Sequence, residues 1–78
     1  MLSEKELHSR ADYVIASLLA ILRSVCDDFR NGKSSFDVCV DNYNIAVSVI
    51  NAYYNLGLIN DYICKVACDK AFKLVYVD

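Results

Sequence analysis

The sequence has no proline, no tryptophan, only two glycines and a single histidine in 78 residues. Proline interrupts helices because it lacks an N–H donor and clashes with the preceding turn, so its absence allows long helices joined by short turns. His8 is the only histidine, and the sequence places no second catalytic group beside it. These absences favour an all-helical chain that is not an enzyme.

Charge and hydropathy disfavour nucleic acid and membranes as partners. Eight basic residues are outnumbered by ten acidic ones, whereas nucleic-acid binding depends on Lys and Arg set against phosphate. The most apolar run, residues 13–22, is about half of the roughly 20 residues that span a bilayer. The first residues mix both charges and do not follow the layout of a signal peptide. We therefore expect a cytoplasmic protein with reduced cysteines.

Local start and stop signals predict a single domain, residues 1–78, with helices at about 3–30, 35–55 and 60–75. The signals are a capping box at Ser3 and Glu6, a glycine stop at Asn31-Gly32, a cap at Ser34 with Asp37, a second stop at Leu56-Gly57-Leu58, and a cap at Asn60. Residues 74–77 are rich in β-branched and aromatic side chains and could instead run extended.

The predicted second helix carries two apolar stripes, whereas a helix in a small domain needs only one. The first stripe is Phe36, Val40, Tyr43, Val47, Ile50 and Tyr54. The second is Val38, Ile45, Val49, Ala52 and Leu56. Helix one can pack with one stripe, and helix three can then cover part of the second. The sequence leaves open whether the second stripe is covered by helix three, a second copy or another protein.

The predicted architecture is all-α: a small three-helix bundle, or a helical hairpin plus a third helix, with helix two central. A chain of this length buries only about 60–65% of the surface that its unfolded form exposes. The face of helix three is rich in Ala and Cys and removes little apolar area from water. We therefore expect the core to be completed by dimerisation or by a partner.

The four cysteines, Cys26, Cys39, Cys64 and Cys68, do not follow the spacing of a zinc site. Structural zinc sites use two cysteine pairs, each two to four residues apart in a turn, but Cys26 and Cys39 stand alone on separate helices. Free cysteine often serves as a small buried apolar residue. We predict that these residues belong to the core, with no metal and no cofactor.

Tyrosines and the second stripe are the best candidates for contact with a partner. Tyr13, Tyr62 and Tyr76 fall on polar sides of their helices, Tyr53 flanks the second stripe, and exposed tyrosines are enriched in interfaces. An Asp/Asn strip on helix two could set the register of an interface. The predicted partner-binding residues are Val38, Ile45, Val49, Ala52, Tyr53, Leu56, Tyr13 and Tyr62.

These features predict a non-enzymatic protein–protein interaction module that acts as a homodimer or as a small inhibitor or adaptor of a larger cellular protein. In size and composition alone, the chain resembles the compact accessory proteins of phages and other mobile elements. The alternative is a DNA-binding transcriptional regulator in which helices two and three form a helix-turn-helix. That alternative would require Lys65, Lys70 and Lys73 to face DNA.

Overall fold

A computed structural model describes residues 2–77, and this part of the chain consists of three α-helices and their connecting turns. The helices are α1 (Glu4–Arg30), α2 (Phe36–Asn55) and α3 (Asp61–Tyr76). The predicted all-helical class is confirmed, and each helix begins and ends within one residue of its predicted bounds. The segment 74–76 is helical, and residue 78 lies outside the described residues. Within residues 2–77, no helix combines the length and apolarity needed to cross a bilayer.

The helix caps follow the sequence signals at two of the three starts. The Ser3 hydroxyl accepts the Glu6 amide at 3.2 Å, and Asn60 Oδ1 accepts the Ile63 amide at 2.8 Å. The predicted cap at Ser34 is wrong, because α2 is capped by Ser35, which has the extended backbone (φ −91°, ψ 159°) of that position. The Ser35 side chain makes no capping hydrogen bond.

Both glycines end a helix in the left-handed conformation. Gly32 and Gly57 have φ of 75° and 77°, values that side chains rarely adopt. After α2, the Leu58 amide donates to the Tyr53 carbonyl at 2.9 Å, and after α1 the Lys33 amide donates to the Asp28 carbonyl at 2.7 Å. These bonds satisfy helix-end carbonyls and turn the chain sharply.

The helices run up, down and up, so the end of α3 returns to the end of α1. Arg30 Nη2 donates to the Leu74 carbonyl at 2.8 Å, which joins the last turns of α1 and α3. The rings of Phe36 at the start of α2 and Tyr76 at the end of α3 lie 6.0 Å apart. Each helix therefore contacts both others.

The core is made largely of small side chains. Nine of the buried residues form two clusters: Ala11, Ile15, Ile50, Ile59 and Ala67; and Leu22, Cys26, Cys39 and Ala71. Ala46 on α2 is buried as well. Alanine and cysteine let helices approach closely, but each removes little apolar area from water. The predicted burial of Cys26 and Cys39 is confirmed.

The chain is elongated, and its surface is large for its mass. The radius of gyration is 13.4 Å, compared with about 11.5 Å for a compact domain of this length. The accessible surface is 5331 Å², about a tenth more than a compact monomer of 8.8 kDa exposes. The excess reflects a thin core and apolar side chains left at the surface.

The structure shows which stripe of α2 faces the third helix. Helix α3 lies along the first stripe, where Tyr43 contacts Tyr76, and it does not cover the second stripe. The buried line of α2 is Cys39, Ala46 and Ile50, so α1 and α3 pack together on one side of the helix. The small Ala67 and Ala71 on α3 permit this arrangement, because they let α3 settle between the other two helices. Two members of the first stripe, Phe36 and Tyr54, remain about 40% exposed rather than entering the core.

Candidate functional site

The second stripe of α2 is an exposed apolar surface. Ile45 is 55% exposed and Leu56 71%, while Val38 and Ala52 are exposed and Val49 is half-buried. From Val38 to Leu56 the stripe extends about 27 Å along the helix. The structure therefore brings five of the predicted partner-binding residues onto one face.

Helix α1 extends this surface through Ile21, which is 52% exposed. Leu19 and Arg23 mark the side of α1 that faces α3, since both line the groove between these helices. At 100° per residue, Ile21 lies on the opposite side of α1. By the same spacing, Ile45 points away from Tyr43 and from α3. We call the combined surface the open face; its residues are Ile21, Val38, Ile45, Val49, Ala52 and Leu56.

The open face lies beside a polar strip and carries little charge. No charged residue occurs between Asp41 and Asp61, so the greater part of α2 is uncharged. The strip consists of exposed polar residues on the flank of α2: Asp37, Asp41, Asn44, Ser48, Asn51 and Asn55. Asn51 also accepts the Cys64 thiol at 3.8 Å, which directs this one side chain toward α3.

The tyrosines predicted to bind a partner are dispersed. Tyr13 is 75% exposed and lines a shallow groove on α1 with Arg10 and Val14. Tyr53 is half-buried and packs against the first core cluster, so part of its area is already used by the fold. Tyr62 is exposed on α3, which lies across the other side of α2 from the open face. The structure does not bring Tyr62 to the stripe.

Sequence reasoning missed an aromatic cluster at one end of the bundle. Phe29 and Phe36 have ring centroids 5.5 Å apart, and Tyr76 contacts Phe36, Tyr43 and Phe72 at 6.0, 5.7 and 4.9 Å. Tilted and edge-to-face pairs of this kind add stability beyond the area they bury. The sequence contained a signal for this cluster. Aromatic residues occur at the end of α1, the start of α2 and the end of α3, and an up-down-up order brings these three ends together.

The thiols are arranged for packing rather than for reactivity. Burial raises the pKa of the Cys26 thiol, and the neighbouring Cys39 raises it further. Burial likewise raises the pKa of Cys68, with a second contribution from Cys64. A raised pKa keeps a thiol protonated, and since the thiolate is the nucleophile, fewer of these thiols can react at neutral pH. In the stretch 2–77, no three His, Cys, Asp or Glu side chains converge to hold a metal ion.

Comparison with protein-family models, with curated proteins and with solved structures finds no match to this chain. Its own surfaces are therefore the basis for assigning a function.

Proposed function

We propose that this chain is a non-catalytic protein–protein interaction module that pairs with a second copy of itself through the open face. The observation that carries the proposal is the exposure of Ile45 and Leu56 on a helix whose central and C-terminal parts have no charge. Contiguous exposed apolar surface is uncommon on monomers and marks sites of association.

A second copy fits this face better than a charged partner does. In a two-fold symmetric interface the same patch meets itself, so any charge near the axis faces its own like charge. The stretch from Asn42 to Asn60 avoids that repulsion because it has no ionisable Asp, Glu, Lys or Arg. Homodimer interfaces are also more apolar than the surfaces of transient complexes.

The dimensions of the face suit a small dimer. A stable interface buries about 800 Å² per partner, which is about 15% of the 5331 Å² that each chain exposes. Two copies of α2 packed against each other would meet along about 27 Å, or five helical turns. The amides of Asn44 and Asn55 flank that contact and could fix its register by hydrogen bonding.

The solution mass of three proteins tests the proposal. We expect the wild type to be a dimer and Ile45→Asp to be a folded monomer, because the new carboxylate would be buried against its symmetry mate. Tyr62→Asp is the matched control: it adds the same charge at an exposed position of α3, on the other side of α2 from the open face, and should remain dimeric. Size exclusion with light scattering under reducing conditions gives the mass, and circular dichroism gives the helix content.

A monomeric wild type at concentrations of about 100 μM would refute self-association. Dimers of equal stability in Ile45→Asp and wild type would place the interface elsewhere. The open face would then be available to a larger protein, as the inhibitor or adaptor hypothesis requires.

A further inference from the structure

A second surface lies between α1 and α3, away from the open face. One section of this groove, of about 420 Å³, has an apolar floor that includes Ala16, Leu19 and Leu74. An adjoining section of about 250 Å³ continues the apolar floor through Ile63 and Val66. Both sections are lined by Ala16, Leu19 and Lys70, so they form one groove, which is open to solvent along its length.

Three cations border the first section: Arg23 from α1, and Lys70 and Lys73 from α3. Within residues 2–77, Arg30 pairs with Asp27 and the His8 imidazole lies 3.9 Å from the Glu4 carboxylate, and neither contact involves these three cations. At the other end of the groove, the lining includes an acidic residue, Asp12. The groove is thus apolar along its floor, cationic at one end and acidic at the other, in a chain whose net charge is −2.

We propose that this groove binds an acidic amphipathic helix of a partner protein, with the helix's carboxylates beside Arg23, Lys70 and Lys73 and its apolar stripe on Leu19. From Asp12 to Arg23 the groove is about 17 Å long, which is three helical turns. An amphipathic helix laid in a groove buries apolar side chains spaced three and four residues apart along that length. The three cations would select for acidic residues near one end of the stripe.

Other ligands match the groove less well. A small molecule is usually enclosed over most of its surface, which an open groove between two helices does not achieve. A nucleic acid would present phosphates to the cations, but its backbone has no apolar face to cover Leu19 and Val66. Asp12 would also repel it. The groove and the open face use different sides of the bundle, so an acidic helix could bind while the chain is dimeric.

A pair of synthetic peptides tests the proposal. The probe is a fluorescein-labelled helical peptide of about 18 residues with leucines on one face and glutamates beside them. The control peptide has lysines in place of the glutamates, and a DNA duplex of about 20 base pairs tests the nucleic-acid alternative. Fluorescence anisotropy gives each affinity for the full-length protein.

We expect the glutamate peptide to bind at least about tenfold more tightly than the lysine peptide, and its affinity to fall with added salt. Lys70→Glu should weaken the glutamate peptide about tenfold, while Lys65→Glu should change it less than twofold. Lys65→Glu is the matched control because Lys65 is exposed on the same helix and the change of charge is the same. Lys65 does not line the groove. The solution mass of Lys70→Glu should equal that of wild type.

Each opposing result overturns the proposal. No saturable binding of the glutamate peptide would mean that the groove does not accept such a helix. Equal affinity for both peptides, or equal effects of Lys70→Glu and Lys65→Glu, would mean that the groove's cations confer no selectivity. Tighter binding of the DNA duplex would assign the cations to nucleic acid instead. Since none of these results depends on Ile45, failure here is distinguishable from failure of self-association.

Discussion

Arg30 joins two helix ends that are 44 residues apart in sequence, because its Nη2 donates to the Leu74 carbonyl at 2.8 Å. That carbonyl belongs to the last turn of α3, where carbonyls have no partner within the helix. The same guanidinium lies 3.4 Å from the Asp27 carboxylate. One side chain thus closes the end of the bundle near the aromatic cluster.

Arg30→Gln should lower the free energy of unfolding by about 1 kcal/mol, because the Leu74 carbonyl loses a charged donor at a half-exposed site. Lys33→Gln removes the same charge from the neighbouring turn and should have little effect. Urea denaturation measures both variants, and amide hydrogen exchange should show faster opening of residues 74–77 only in Arg30→Gln. Equal stability of the two variants would contradict the role given to Arg30.

Ile50→Ala should lower the free energy of unfolding by about 2–5 kcal/mol, since Ile50 is fully buried at the meeting point of the three helices. The core contains few large side chains, so the cavity would remove a substantial part of a total stability of about 5 kcal/mol. Val77→Ala, at an exposed position beyond α3, should stay within about 0.5 kcal/mol of wild type. Thermal and urea unfolding, followed by circular dichroism, measure both variants. Similar losses of stability in the two would contradict the place of Ile50 in the core.

The four thiols should alkylate in two groups. Cys64 and Cys68 are half-buried, whereas Cys26 and Cys39 are buried between α1 and α2. We expect iodoacetamide at about pH 8 to modify Cys64 first, and to reach Cys26 and Cys39 only as fast as the bundle opens. Mass spectrometry of quenched digests follows each site. Modification of Cys26 as fast as Cys64 in folded protein would contradict this packing.

Stability should fall as the pH rises above about 9. The neighbouring Asp61 carboxylate favours the protonated hydroxyl of Tyr54 and raises the pKa of Tyr54 above its ordinary value of 10.0. A pKa raised in the folded state means that the unfolded chain releases its proton first, so stability is complete below that range and declines as the pH rises through it. Burial of Cys26 acts in the same direction from its ordinary value of 9.0.

Tyr54→Phe should therefore reduce the alkaline loss of stability, and Tyr62→Phe should not. Tyr62 is the control because it is also an exposed tyrosine and directly follows Asp61 in the sequence. Urea midpoints at about pH 8, 9.5 and 10.5 give the slope for each protein. Parallel slopes in wild type and Tyr54→Phe would show that the Tyr54–Asp61 contact does not contribute.

The helices could be predicted from sequence because the signals that start and end them are local. Caps at Ser3 and Asn60 and left-handed glycines at 32 and 57 act within a few residues, so the bounds agreed within one residue. The covered side of α2 could not be predicted in this way. Its two stripes have similar periodicity, and the choice between them depends on how closely Ala67 and Ala71 let α3 approach.

The two candidate binding surfaces also differ in how far they could be predicted from sequence. The stripe from Val38 to Leu56 could be found by periodicity, because all its members are on one helix. The groove could not, since Arg23 and Lys70 are 47 positions apart and meet only once α1 and α3 are packed. Tyr53 shows the limit of a single-helix pattern: it flanks the stripe in sequence, yet the core uses part of its surface.

Isotope-filtered NMR of a mixed dimer, with one chain carrying ¹³C and the other not, tests the central claim most directly. We expect intermolecular NOEs that join the methyl groups of Ile45, Val49 and Leu56 to the partner chain, with the Ile21 methyls at the margin. A mixed sample in which these methyls show no intermolecular NOE, or in which the NOEs come from α3, would contradict self-association through the open face.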